Sequence, residues 1–354
     1  MPPVKPTRPV PRGGPAPAFA GRYKMTPEDF AVDEIPAYEP SGQGDHVWLW
    51  VEKRGLSTMD LLHDLAAALD RDERSFGIAG LKDAQAVSRQ WVSIEHVDPA
   101  ACEGLQGGRF RVLTVKRHIN KLRMGHLRGN RFAITLRGTS PEDLSKAEQN
   151  LADMVRRGVP NYFGEQRFGK RGANLQKGLD VLHGDARSFA HKMPRRVFGL
   201  VLSAVQSEVF NRVIISRLAT LAQLLPGDLA FRHDNGSVFA VTDATKEQSR
   251  VDSLAVSPSG PMPGPEMLAP TGEPLRLEEQ ALAAMELSPQ LFGRLPFGLC
   301  RGERRPLRVP VTDAVARLHD GGVQVEFALP RGAYATSVLR ELLIDTIWFG
   351  RGDD

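Results

Sequence analysis

At 354 residues, 41% hydrophobic and 25% charged, the chain has an ordinary globular composition and room for two or three domains. Net charge is +4, no apolar run approaches bilayer-spanning length, and the Pro-rich N-terminus lacks the apolar stretch of a secretory signal; a cytoplasmic protein with no membrane partner is expected. Cys102 and Cys300 lack CxxC or His/Cys ligand spacing, which supports neither a disulfide framework nor a metal site.

Residues 1–24 hold seven prolines and five basic residues without an acid, so residues 1–22 are expected to form a disordered or extended basic arm, with order starting near Tyr23. Phe30, Val32 and Glu34 then share one face of an alternating strand, and Asp45 to Lys53 repeats the pattern after a Ser-Gly-Gln-Gly turn. Ser57 caps a helix whose Met59, Leu62, Leu65, Ala66 and Leu69 form a core stripe. Phe76 to Ala79 suits a short buried strand and Arg89 to Glu95 a half-buried one. Between them, Gly80-Leu81-Lys82-Asp83 places a lone carboxylate in a glycine-led turn at a strand end. Asp83 is the candidate nucleophile, although a Lys-Asp pair in a turn also suits a solvated surface.

Residues 109–131 carry Arg109, Arg111, Lys116, Arg117, Lys121, Arg123, Arg128 and Arg131 with no acid, interleaved with strand-like apolar residues. Such a face suits a phosphate backbone. Strands are expected over Arg109 to Lys116 and Asn130 to Arg137, then a helix from Ser140-Pro141 that stops at Gly158. Gly164 to Lys170 matches GxxxxGK, but Arg171 stands where a P-loop needs Ser or Thr, so no nucleotide cofactor is expected. Residues 172–308 read as a helix-rich module, with helices near 174–183, 199–225 and 276–286 and a loose Pro/Gly-rich passage from Ser257 to Pro274. Arg167, Lys170, Arg171, Arg301, Arg304, Arg305 and Arg308 are expected to form a basic rim where its two ends meet. Strand alternation returns at Val323, Val325, Phe327 and Leu329, and a glycine turn then leads into a helix through Asp345 whose N-terminus suits an anion.

Five co-linear motifs resemble the TruD family of tRNA pseudouridine synthases: Pro27 to Glu34, Gly80-Leu81-Lys82-Asp83, Gly129-Asn130-Arg131-Phe132, Val159 to Gly169, and Ala335 to Leu342. The resemblance implies an α+β fold, a mixed-sheet pseudouridine synthase catalytic domain (23–164 and 311–354) interrupted by an inserted helix-rich TRUD domain (165–310). It also implies an isomerase acting on uridine-13 of tRNA, without a cofactor; a monomer is expected. Asp83 would be the catalytic aspartate, Lys24 the cation beside it, and Asn130, Phe132 and Tyr334 the uridine pocket. Tyr334 stands where family members often carry Phe. Arg117, Lys121, Arg123, Arg128, Arg167, Lys170 and Arg171 would contact the RNA backbone.

The chemistry suits these residue types. An ionised Asp can attack the anomeric carbon, remove the neighbouring proton or add to the base, and a nearby ammonium favours that ionised form. A base inside a folded RNA must be extruded, and an aromatic face and an amide can then hold it. Motif Val159 to Gly169 suits packing as well as binding. A non-catalytic tRNA-binding or chaperone protein on the same fold, and another RNA-modifying enzyme or a nuclease, remain as alternatives at this point.

Overall fold

Alternating buried and exposed side chains build most of the strands. The computed structural model describes residues 5–7, 10–16 and 18–344. In chain order the first strands are β1 (Phe30–Pro36), β2 (His46–Arg54), β3 (Phe76–Ile78), β4 (Val87–Glu95), β5 (Phe110–His118) and β6 (Leu127–Leu136). Next come β7 (Val159–Pro160), β8 (Leu229–Arg232), β9 (Val238–Ala240), β10 (Val256–Met262), β11 (Glu303–Pro306) and β12 (Arg308–Val309), then β13 (Thr312–His319) and β14 (Gly322–Pro330). Helices are α1 (Thr58–Leu69), α2 (Pro99–Cys102), α3 (Glu142–Arg157), α4 (Ala173–His183), α5 (Ala186–Lys192), α6 (Arg195–Ser216), α7 (Ala244–Asp252), α8 (Gly272–Ala283), α9 (Pro289–Gly293) and α10 (Ala335–Leu342).

The described residues divide into two compact units, one within 16–155 and 311–335 with residues 342–344, the other of 156–310 with segment 336–341 and the described arm residues up to 15. The first unit holds a mixed eight-stranded sheet in the order β13-β14-β6-β1-β4-β2-β5, with β3 also on β4. Its β1–β4 pairing is parallel and the others antiparallel. Pairing puts Phe30, Val32 and Glu34 of β1 on the same face as Asn130, Phe132 and Ile134 of β6. Helix α1 covers part of the sheet, with Leu61, Leu62, Leu65 and Ala66 packed on Val47, Leu49, Val51, Val92 and Ile94. The helical stripe thus sits slightly differently than expected: Leu61 is inside and Met59 is 44% exposed. Ser57 caps the helix by accepting from the Asp60 N–H.

The second unit is built on α6, whose Val201, Leu202, Val205, Val209 and Phe210 share a core with Leu175, Leu179, Tyr162 and Phe163. Helix α6 is long and apolar enough to cross a membrane, but 72% of its apolar window is buried inside the fold. It ends at Ser216, and a short 3-10 turn, Leu218–Thr220, follows where a longer helix was expected. Segment 165–310 is not helices and a loose connection alone. It includes a four-stranded sheet, order β11-β10-β8-β9, and the Pro/Gly-rich passage supplies its buried strand β10. Residues 256–258 of β10 pair with β8 and 259–262 with β11, and the Pro258 carbonyl also accepts from the Leu307 N–H at 2.8 Å. A proline is tolerated where its missing N–H leaves no acceptor unpaired, and the Leu307 carbonyl beside Pro258 accepts from the Asn161 N–H at 2.9 Å instead. The segment's ends meet where β7 pairs with β12.

The described part of the N-terminal arm is held to the fold rather than disordered. Glu208 accepts from the Thr7 N–H at 3.1 Å and its hydroxyl at 2.6 Å, and Glu341 accepts from the N–H groups of Gly13 and Gly14 at 2.7 and 2.8 Å. Phe19 is 2% exposed. At the other end α10 stops at Leu342; Asp345, where the helix was expected to end, lies outside the described residues.

Candidate active site

Asp83 lies in the connection from β3 to β4, and buried hydrogen bonds fix its main chain. Lys53, fully buried on β2, donates from Nζ to the Asp83 carbonyl at 2.8 Å and also to the Leu56 carbonyl. The Asp83 carboxylate accepts from the Gln85 N–H at 3.0 Å through Oδ1 and from Lys24 Nζ through Oδ2. Lys24 is held in a left-handed backbone conformation at φ +60°, with Nζ 4.3 Å from the Phe30 ring centroid. The two side chains differ in access, 8% exposed for Lys24 and 28% for Asp83. Burial alone would raise the Asp83 pKa, but the Lys24 charge and hydrogen bond, the Gln85 N–H and the Lys53 charge outweigh it and hold the group below the usual value. Burial pushes Lys53 down to about 8, against the opposing pull of Asp83.

A second charged pair lies behind the first. Lys82 Nζ donates to Glu34 Oε2 and to Asn130 Oδ1, each at 2.8 Å, and the Lys82 and Glu34 side chains are 4% and 1% exposed. Burial raises the Glu34 pKa against the charge and hydrogen bond of Lys82 and the Trp91 N–H. The Lys82 N–H donates to Thr58 Oγ1 at 2.8 Å, and that hydroxyl donates to Gln90 Oε1 at 2.9 Å. Gly129 permits the close approach of β6 to β14 that sets this register, since a Cβ there would lie 2.2 Å from the Leu329 carbonyl oxygen. The register places Asn130 opposite Leu329 and Phe132 opposite Phe327.

Lys24, Asp83 and Asn130 are therefore linked, Asp83 directly to Lys24 and Asn130 through Lys82, the residue before Asp83. Phe132 is 7% exposed, stacked on Phe327 at 5.4 Å between centroids and edge-on to Phe30 at 6.1 Å. Tyr334, in the turn between β14 and α10, is 38% exposed. Among the described residues no group of three His, Cys, Asp or Glu side chains converges as a metal site would require.

The basic residues divide by environment. Arg117, Arg123 and Arg128 are exposed, Arg117 donating to the Gly44 carbonyl at 3.2 Å and Arg128 to the Ala37 carbonyl at 3.4 Å. Lys121 is half-buried and donates to the Arg74 carbonyl at 2.7 Å. Arg111 and Arg131 are engaged by Glu52 and Asp313. In the second unit Lys170 and Arg171 are exposed, while Arg167 donates to Ser207 Oγ at 3.2 Å. The expected rim loses Arg304 and Arg308 to the interior, and Arg305 is half-buried. Arg304 chelates Glu278, Arg308 donates to the carbonyls of Arg157 and Val251, and Arg305 donates to Asn161 Oδ1 at 2.7 Å. Buried carbonyls and a buried carboxylate in that unit need donors, and arginine supplies several at once. In motif Val159 to Gly169, Asn161, Tyr162, Phe163 and Phe168 are all buried, so they pack the second unit's core.

Sequence reasoning missed four residues around Asp83: Phe30, Glu34, Lys53 and Lys82. One signal was available, an acid at the inward position of an otherwise apolar alternation, Phe30-Val32-Glu34, which requires a buried cation.

Comparisons with known proteins identify the family. The family model of tRNA pseudouridine synthase D (TruD) matches residues 15–193 and 182–342. A curated relative from Geobacter sulfurreducens, named tRNA pseudouridine synthase D, is 38% identical over 92% of this chain and 95% of its own. One of the same name from an Anaeromyxobacter species is 43% identical over 92% of this chain and 93% of its own. The fold is shared with a crystal structure from Methanosarcina mazei titled putative tRNA pseudouridine synthase D, with TM-score 0.78, 22% identity, and coverage of 95% of this chain and 96% of that one. The chain belongs to the tRNA pseudouridine synthase D (TruD) family.

Proposed function

We propose that this chain, a tRNA pseudouridine synthase, converts uridine-13 of tRNA to pseudouridine and that Asp83 begins the reaction. The observation that carries the reading is the partly exposed Asp83 carboxylate, bearing the buried Lys24 ammonium on a main chain pinned by Lys53. Isomerisation breaks the bond from the sugar to N1 of the base, turns the base, and joins the same sugar carbon to C5 with loss of the C5 proton. Attack at the anomeric carbon, removal of the neighbouring proton and addition to the base all need the ionised carboxylate. Lys24 and Lys53 keep it ionised at neutral pH.

Asn130 holds the detached base. Its Oδ1 is engaged by Lys82, which leaves its NH2 to donate to a uracil carbonyl. Phe132 and Tyr334 each offer the base an aromatic face, Phe132 from the floor of the pocket. Arg117, Lys121, Arg123 and Arg128, with Arg167, Lys170 and Arg171, contact the tRNA backbone, and segment 165–310 reads tRNA shape while 23–164 and 311–354 carry the chemistry. The test is incubation of the full chain with unmodified tRNA labelled with tritium at uridine C5, followed by sequencing for pseudouridine. Release of one tritium per tRNA, with modification at position 13 and none when that uridine is replaced by cytidine, is expected. Tritium release from another position would overturn the assignment of uridine-13, and no release would overturn the reaction.

A further inference from the structure

The loop between β5 and β6 offers apolar side chains to solvent from a fixed frame. Met124 is 63% exposed, the highest among the exposed large apolar residues described, and Ile119 on the same loop is 57% exposed. The loop is anchored on several sides. Leu122 is buried with Trp48, Trp91 and Ala79, its N–H donates to Ser93 Oγ at 2.9 Å, and Lys121 reaches the Arg74 carbonyl at 2.7 Å. At the tip Arg123-Met124-Gly125-His126 is a tight turn, closed by the His126 N–H on the Arg123 carbonyl at 3.0 Å with Gly125 at φ +89°. That φ favours glycine at the third turn position and leaves the exposed Met124 at the second.

The tip is tied to the segment carrying Asp83. The Gly125 N–H donates to the carbonyl of Ala79, which directly precedes Gly80-Leu81-Lys82-Asp83, at 2.8 Å. The Gly125 carbonyl accepts from Arg331 at 3.2 Å. Leu81, in the Asp83 turn itself, is 55% exposed. Arg123, Arg128 and Arg331 are also exposed, and residues 119–128 contain no acid. Water gains nothing from an apolar tip held rigid among arginines, whereas a nucleic acid has phosphates for the cations and a base stack for the methionine.

We infer that Met124 is a wedge that enters the RNA stack beside the target uridine and fills the space the extruded base leaves. The inference rests on the pseudouridine synthase reading. Met124→Ala should lower the single-turnover rate of pseudouridine formation about tenfold to a hundredfold, the scale of unstacking one base step, with tRNA affinity and melting temperature almost unchanged. Met124→Leu should restore most of the rate, and Met59→Ala, at a methionine 44% exposed on α1, should do nothing. A second readout is independent of chemistry. With 2-aminopurine next to the target uridine in tRNA, fluorescence should rise when wild-type protein binds and fail to rise with Met124→Ala. A Met124→Ala rate within threefold of wild type, or an equal fluorescence rise in both proteins, overturns the wedge. No pseudouridine from wild-type protein would overturn the reaction itself, with the fluorescence still deciding the wedge.

Discussion

Both units bury charge, but they do so to different ends. In the 156–310 unit Arg217 grips Asp228 with two hydrogen bonds of 2.9 and 3.0 Å, and Arg304 grips Glu278 with two of 2.9 and 2.7 Å. All four side chains are 5% exposed or less. Those pairs are closed, and they brace segments 11 and 26 residues apart in the chain. Among its described residues the sheet unit has the closed pair Lys82–Glu34, and beside it in sequence Lys24–Asp83, with the carboxylate partly open to solvent. A buried pair with all its hydrogen-bonding capacity used can only support structure. One with an oxygen facing solvent, beside a cation that keeps it ionised, can act on a molecule that arrives.

The largest expected effect breaks a closed pair. Arg217→Ala leaves Asp228 buried and unpaired, and should cost about 3–5 kcal/mol in denaturant unfolding while the folded fraction keeps wild-type turnover in the cold. A stable variant with reduced turnover would erase the distinction between the units. Opening the other pair should invert the pattern: Lys24→Met is expected to lower turnover about 100- to 1000-fold with little change in stability. It also carries a pH signature. Ionised Asp83 has a lowered pKa in the fold, so its stabilising contribution is present above the unfolded value of about 3.9 and is lost as pH falls through the folded one. Without Lys24 that pKa rises, and the acid limb of kcat/KM should move to higher pH. An unmoved limb would assign the limb to another group.

Phe132→Leu sharpens the comparison within the sheet unit. The ring's burial means that alanine would open a cavity, whereas leucine keeps most of the volume and should cost less than about 1.5 kcal/mol of stability. Removing the aromatic face from the base, roughly 1 to 3 kcal/mol, should still lower turnover about tenfold or more. Turnover equal to wild type would return Phe132 to the core alone. The smallest effect is electrostatic. Reversing Arg123 and Arg128 to Glu should flatten the salt dependence of tRNA binding by about one unit of slope for each phosphate that is no longer neutralised, measured as log affinity against log salt concentration.

The parts of this fold that could be read in the chain are those whose cause is local. Strands β1, β2, β4, β6 and β14 follow from alternation, α1 and α3 from their start signals, and Asp83 and Lys24 from short motifs. Strand β10 was hidden because prolines argue against a strand, and its change of partner from β8 to β11 exists only in the fold. The support behind Asp83 was hidden because Glu34 and Lys82, and Lys82 and Asn130, are each 48 residues apart. Arg304 and Arg308 read as surface charge because their partners, Glu278 and the Arg157 and Val251 carbonyls, lie far away in the chain. Phe132 could be read as an inward side chain, but not its stack on Phe327, which exists only once β6 and β14 pair.

The most direct test of the account is Asp83→Asn in the full chain, assayed in single turnover on unmodified tRNA. The amide keeps the shape and the Gln85 hydrogen bond but cannot act as an ionised carboxylate. The expected result is a loss of pseudouridine formation of about 10,000-fold or more, with tRNA affinity and melting temperature close to wild type. Pseudouridine formation within tenfold of wild type, or collapse of folding, would contradict it and make Asp83 one more structural carboxylate.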